Sequence, residues 1–275
     1  MTRLAGKFNI DNKVIIITGG EGVLGSTLSY ELASLGARIV IIGINEERGI
    51  ETQAKIKDKG GIAVFHNANV LDRQAMTEVR KSVISEWNTI DVLINAAGGN
   101  MPGATVGDGE SIFNMDIDDF DKVVDLNLVG TVIPSLVFGE QMEKQGRGVI
   151  VNFSSMASTR AISRVAGYSA AKAAIDNFTR WMAVEMARKY GDGIRVNAIA
   201  PGFLVTNQNR DLLINNNDGS ITDRGKNIIE HTPFGRFGKP EELAGTILWL
   251  ITDASSFVTG AVIPVDGGFS AYSGV

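Results

Sequence analysis

Tyr168-Ser169-Ala170-Ala171-Lys172 places a phenol and an ammonium four residues apart. At that spacing two side chains share one face of an α-helix. A cation beside a phenol favours phenolate and brings its pKa down from about 10 toward neutrality. The pair therefore suits general acid–base work on an oxygen atom. Tyrosine and lysine at this spacing also occur in ordinary helix starts, so the surrounding residues decide what the pair means.

A second chemical feature stands near the start of the chain. Thr18-Gly19-Gly20-Glu21-Gly22-Val23-Leu24-Gly25 contains G-x-G-x-x-G at Gly20, Gly22 and Gly25. The β-branched run Lys13–Thr18 precedes it, and an apolar-periodic stretch, Leu24–Leu35, follows and stops at Gly36. Strand, glycines and helix in that order make a phosphate cradle: the backbone approaches the pyrophosphate closely and the helix N-terminus faces it. Gly19, Gly20, Glu21, Gly22, Val23 and Leu24 are the candidate cradle residues. A dinucleotide's adenosine ribose then belongs at the tip of the second strand, at Gly43, Ile44 and Asn45. No Asp or Glu stands there for the ribose hydroxyls and no Arg for a 2′-phosphate; Arg48 lies a turn further on. Glu21, if turned that way, would repel a 2′-phosphate. The balance favours NAD(H) and leaves NADP(H) open.

The elements that must position these residues alternate. Further buried-strand runs are expected at Ala37–Ile42, Ile62–Phe65, Asp91–Asn95, Gly148–Ser154, Arg195–Ala200 and Ala261–Val265. Helices are expected at Glu46–Lys59, Arg73–Trp87, Ile117–Phe138, Tyr168–Tyr190 and Glu241–Leu250. Strands alternating with helices of this length predict parallel β-α-β units with right-handed crossovers. The expected fold is α/β: one doubly wound, Rossmann-type domain over 1–275 with about seven strands. Residues 204–235 break the rhythm with the turn cluster Asn215-Asn216-Asn217-Asp218-Gly219 and read as a lid over a substrate site.

Composition excludes other chemistries. The 275 residues carry a net charge of −5 and no basic stripe, which argues against nucleic acid. No uninterrupted apolar run reaches the length of a membrane span, and the first residues are too polar for a signal peptide, so a cytoplasmic setting is expected. There are no cysteines, which removes disulfides, thiolate catalysis and cysteine zinc sites. The 2 histidines, His66 and His231, read as surface or loop residues rather than as parts of a hydrolytic triad, and no metal site is expected.

Taken together, the sequence resembles the short-chain dehydrogenase/reductase family over essentially its whole length. The glycine loop matches at Thr18–Gly25, with Val23 in place of the family's middle glycine. Asn95-Ala96-Ala97-Gly98 matches the turn after the fourth strand, and Pro201-Gly202 with Thr206 matches the segment after the sixth. Asn127 and Ser155, the latter 13 residues before Tyr168, complete the pattern. Ala68-Asn69-Val70 stands where many members have an adenine-contacting aspartate. The resemblance implies that Tyr168 exchanges a proton with a carbonyl or alcohol oxygen while the nicotinamide exchanges hydride with its carbon. It also implies that Ser155 orients that oxygen, that Lys172 binds nicotinamide ribose, that Asn127 links Lys172 to solvent, and that four copies assemble.

The C-terminal third resembles a branch of the family that interconverts D-fructuronate and D-mannonate, through Asn207-Gln208-Asn209-Arg210, Thr232–Gly238 and Phe269–Val275. Candidate substrate residues are Asn100, Met156, Arg160, Arg164, Asn207, Gln208 and Arg210, a polar set in which arginine can clamp a carboxylate and amides can bind hydroxyls. The expected partner is thus a small sugar acid. Another sugar-acid or polyol dehydrogenase (gluconate 5-dehydrogenase-like), a 3-oxoacyl reductase, and a non-catalytic dinucleotide sensor remain as alternatives.

Overall fold

A computed structural model describes residues 4–107, 109–206 and 209–274. The first strand, β1 (Val14–Thr18), is buried along its whole length, as are β4 (Val92–Asn95), β5 (Gly148–Phe153) and β6 (Ile194–Pro201). Continuous apolar strands of this kind require cover on both faces, which a parallel sheet with helical crossovers provides. With β2 (Arg38–Gly43), β3 (Ile62–Asn67) and β7 (Val262–Val265) they form one 7-stranded parallel sheet in the order β3-β2-β1-β4-β5-β6-β7.

The two faces divide the core by strand alternation. Ile15 and Ile17 of β1 pack with Leu28 and Leu32 of α1 (Val23–Ser34) and with Ile247 and Leu250 of α9 (Ala244–Leu250). Val14 and Ile16 pack on the other face with Met76 and Val79 of α3 (Arg73–Trp87), Phe138 of α5 (Gly130–Gln145) and Met182 of α6 (Ala166–Tyr190). Helix α3 spans the residues expected of it. Asp72 caps its start by accepting from the Gln74 and Ala75 amides, and Asn88 closes it in the left-handed region.

Three elements differ from expectation. The helix expected over 241–250 opens as a 3-10 turn, Pro240–Leu243, and is α-helical only from Ala244. The edge strand β3 runs on through His66 to Asn67, because β2 continues to pair with it as far as Gly43. His66 is therefore a strand residue, and burial lowers its pKa. The single helix expected over 117–138 is α4 (Ile117–Val124), a π-helical turn (Asp125–Val129) and α5. By length and composition this stretch of 29 residues could cross a membrane, although no uninterrupted apolar run is that long. In the fold, half of its most apolar window is buried, and α5 lies against α3, β4 and β5.

The strand order reverses direction between β1 and β4. Ligands of open α/β sheets bind at such a switch point, beyond the carboxyl ends of the strands. Thr18 and Asn95, paired across that point, are the last residues of their strands.

Candidate active site

The glycine loop is locked against the turn after β4. A side-chain carbon on Gly19 would fall 2.8 Å from Ala97 Cα, and Gly19 has φ +63°, so only glycine fits there. One on Gly25 would overlap the Gly19 carbonyl oxygen. Gly22 N-caps α1 and donates its N–H to Gly19 O at 3.0 Å. Val23, which stands where the family has its middle glycine, is the first residue of α1. Backbone packed this closely, ending in a helix N-terminus with its positive dipole end, fits the pyrophosphate of a nicotinamide dinucleotide.

The residues expected around the adenosine half are placed unevenly. Asn45 caps α2 (Glu46–Asp58), its Oδ1 accepting from Arg48 N at 3.0 Å, and Ile44 is exposed. Asn69 Oδ1 accepts from Leu71 N at 3.0 Å, and Val70 is buried in the core. Asn95 turns its side chain inward as well. Its Nδ2 donates to Ser135 Oγ and Asn152 Oδ1, both at 2.9 Å, and Asn152 continues to Thr179 Oγ1 at 2.9 Å. This buried network ties β4, β5, α5 and α6 together beneath the site.

The proposed catalytic residues come together. Ser155 lies just beyond β5 in extended backbone, and its Oγ accepts from Ala157 N at 3.2 Å. Tyr168, in the first turn of α6, hydrogen-bonds the Ser155 side chain. Burial raises the Tyr168 pKa, and the Ser155 hydrogen bond partly opposes that. Lys172 is buried one turn further along, with Nζ 5.4 Å from the centre of the Tyr168 ring, and donates to Phe153 O at 2.8 Å. Burial brings the Lys172 pKa down to about 8, and the Asp176 carboxylate opposes the shift.

Lys172 thus donates to a main-chain carbonyl beside the phenol, and burial outweighs the Ser155 hydrogen bond in setting the direction of the Tyr168 shift. Asp176 was not singled out from the sequence, although Tyr168, Lys172 and Asp176 follow one another at intervals of four. It is buried and accepts a hydrogen bond from Ser154 Oγ, next to Ser155.

Asn127 sits in the π-helical turn, a distortion that often marks functional sites. Its Nδ2 donates to Gly99 O at 2.7 Å and Val123 O at 2.8 Å, and its Oδ1 accepts from Gly99 N at 3.2 Å. A side-chain carbon on Gly98 would lie 2.6 Å from Asn127 Oδ1 and 3.4 Å from Lys172 Nζ. Asn127 thus fixes the Gly98–Gly99 turn directly beside Lys172.

A cavity of about 270 Å³ opens over these residues. Ser155, Tyr168 and Lys172 line it together with Leu24, Ala96, Gly98, Pro201, Gly202 and Thr206. Of the substrate candidates, Asn100 and Met156 line it, and Asn100 Nδ2 donates to Thr105 Oγ1 at 2.7 Å. Arg160, Arg164 and Arg210 do not. Arg160 donates to the Ser270 carbonyl, Arg164 turns the chain at φ +79°, and Arg210 begins α7 (Arg210–Leu213) on the surface. Asn207 and Gln208 lie outside the described residues.

The arginine that does line the cavity is Arg224 of α8 (Asp223–Glu230), which donates to Ser163 Oγ at 3.1 Å. It lies within the polar excursion, whose Leu204, Thr206, Asn209, Leu212 and Leu213 form one wall. That wall, with Ile162 and Phe203, is more apolar than the sequence implied. Among the described residues no cluster of His, Cys, Asp or Glu is arranged to hold a metal.

Fold and site define a nicotinamide-dinucleotide-dependent oxidoreductase of the Rossmann type, and the chain belongs to the short-chain dehydrogenase/reductase family. The profile described as enoyl-(acyl carrier protein) reductase matches residues 22–270. Among individual proteins, the chain is 46% identical to the uncharacterized oxidoreductase UxuB of Bacillus subtilis, over 97% of this chain and 98% of that one. A crystal structure of a Haemophilus protein assigned as a D-mannonate oxidoreductase, with NAD bound, superposes with a TM-score of 0.90 at 44% identity and covers 99% of both chains. A protein from Beutenbergia cavernae assigned as an NAD(P)-dependent gluconate 5-dehydrogenase, with NADP bound at low occupancy, gives 0.84 at 30% identity over 97% of this chain and 100% of that one.

Proposed function

We propose that the protein interconverts D-fructuronate and D-mannonate with NAD(H). The observation that carries this reading is the cavity itself, which brings an arginine, Arg224, and two amides, Asn100 and Asn209, into the same space as Ser155 and Tyr168. A sugar acid offers the matching groups: a carboxylate for the guanidinium and hydroxyls for the amides. The likeness to the NAD-bound D-mannonate oxidoreductase structure supports the same choice. The bound dinucleotide supplies or accepts the hydride at the carbonyl carbon. Tyr168 gives the proton to the carbonyl oxygen in reduction and takes it back in oxidation, and Ser155 holds that oxygen. Lys172 binds nicotinamide ribose, and Asn127 keeps the adjoining turn in place.

The reading is tested with D-fructuronate, 5-ketogluconate and acetoacetyl thioester, each offered with NADH and NADPH. D-Fructuronate with NADH is expected to give the highest kcat/KM, and no turnover of it with either dinucleotide would remove the substrate assignment. Arg224→Ala is expected to raise KM for the uronate roughly ten- to hundredfold, the worth of one charge-assisted hydrogen bond or bidentate pair. A neutral ketose should be much less affected. Equal losses on both would take the carboxylate away from Arg224.

We also propose a homotetramer. Leu136 on α5 and Trp181 and Val184 on α6 are large apolar side chains left exposed by the single chain, as an interface would use them. Light scattering should give the mass of four chains; a monomer at working concentration contradicts the assembly.

A further inference from the structure

The tip of β2 lacks the acidic residue that commonly receives the adenosine ribose hydroxyls. The fold brings one there from elsewhere. The Glu21 side chain leaves the glycine loop and crosses to β2, where its Oε1 accepts from Ile44 N at 3.0 Å. The other oxygen, Oε2, is buried and has no hydrogen-bond partner. A side-chain carbon built on Gly43 would collide with this carboxylate. The space in which a strand-borne side chain would begin is therefore filled by Glu21, and glycine at 43 is what admits it.

A carboxylate oxygen buried without a donor is costly, and the nearby chain does not supply one. A vicinal diol at the strand tip offers the missing donor once the carboxylate turns its buried oxygen outward, and a phosphate monoester in the same place would meet a like charge. We infer that Glu21 is the specificity-determining residue of the dinucleotide site: it accepts the adenosine 2′-hydroxyl and excludes a 2′-phosphate, standing in from the glycine loop for the absent strand-tip acid. This rests on the dinucleotide reading of the site and is independent of which substrate is reduced.

Isothermal titration without substrate tests it. Wild-type protein is titrated with NAD⁺, NADP⁺ and the NAD⁺ analogue lacking the adenosine 2′-hydroxyl. NAD⁺ is expected to bind roughly tenfold or more tightly than either of the others, the value of one hydrogen bond to a charged group. Glu21→Gln keeps the shape and removes the charge, and should reduce the preference for NAD⁺ over NADP⁺ by about tenfold or more. Glu21→Ala combined with Gly43→Asp should restore the preference, because it returns a carboxylate to the strand tip in the space Glu21 vacates. Equal affinity of the wild type for NAD⁺ and its 2′-deoxy analogue would overturn the inference even if the variants did not fold. So would an unchanged preference in folded Glu21→Gln. Wild-type protein that binds neither dinucleotide would overturn the dinucleotide site itself, whereas a failed substrate assay would leave these affinities untouched.

Discussion

Tyr168→Phe is expected to lower kcat for carbonyl reduction by roughly 10²–10⁴-fold, the usual worth of a positioned general acid, and to leave dinucleotide affinity unchanged. The substitution removes one oxygen and keeps the ring that packs beside Lys172. The expectation follows from the state of the phenol. Burial raises its pKa, so at neutral pH it carries the proton that reduction requires. The hydrogen bond with Ser155 holds the two hydroxyls side by side, so that one carbonyl oxygen can meet both. Oxidation needs the opposite state, and its rate is expected to climb toward alkaline pH while reduction does not. Steady-state rates in both directions across pH, with dinucleotide affinity measured by titration, check all of this. A Phe variant within a few-fold of wild type would remove Tyr168 from the proton step.

The second large effect concerns Lys172, whose replacement by Met should both silence turnover and change how stability varies with pH. In the folded protein burial lowers this lysine's pKa to about 8, against 10.5 for an ordinary lysine. Below pH 8 both folded and unfolded chains hold the proton, and the folded state bears the full cost of a buried ammonium. Between pH 8 and 10.5 the unfolded chain still binds a proton that the folded one has released, so stability rises with pH. Integrated over that window the gain is about 3 kcal/mol. Lys172→Met lacks the titrating group and should lack this gain. Denaturant unfolding at the two ends of the window gives the difference. Parallel pH profiles for wild type and variant would mean that Lys172 is not destabilised by burial. The site thus keeps a charge that the fold would be more stable without.

The parts of the fold most legible in the sequence were those governed by local rules. Val14–Thr18 reads as a strand because both its faces are covered, which makes Val14–Ile17 a continuous apolar run. Helix α3 is legible to the residue, and the structure supplies the reason in the Asp72 cap at its start and the left-handed Asn88 at its end. The π-helical turn at Asp125–Val129 was not legible, since an extra residue in one turn barely disturbs an apolar period. Ser155, Tyr168 and Lys172 were legible because a strand end and one helical turn fix their relations. The substrate wall was read less well. Arg160 and Arg164 lie between Ser155 and Tyr168 in sequence, but nearness in sequence does not set the direction of a loop side chain, and neither lines the cavity. Arg224 reaches it from a helix some sixty residues further on, a relation only the tertiary fold creates. Glu21 is legible as a loop residue that would repel a 2′-phosphate if it turned that way, but its crossing to Ile44 depends on a packing between β1 and β2 that no local pattern encodes.

The most direct test of the proposed chemistry follows one hydrogen. NADH carrying deuterium at its transferable position is incubated with D-fructuronate and either wild-type protein or Tyr168→Phe, and the product is read by NMR. Wild type is expected to yield D-mannonate with one deuterium on the carbon that bore the carbonyl, and Tyr168→Phe almost none in the same time. No labelled D-mannonate from wild type, or labelling at the same rate with the Phe variant, would contradict hydride transfer to this sugar acid with Tyr168 as the proton donor.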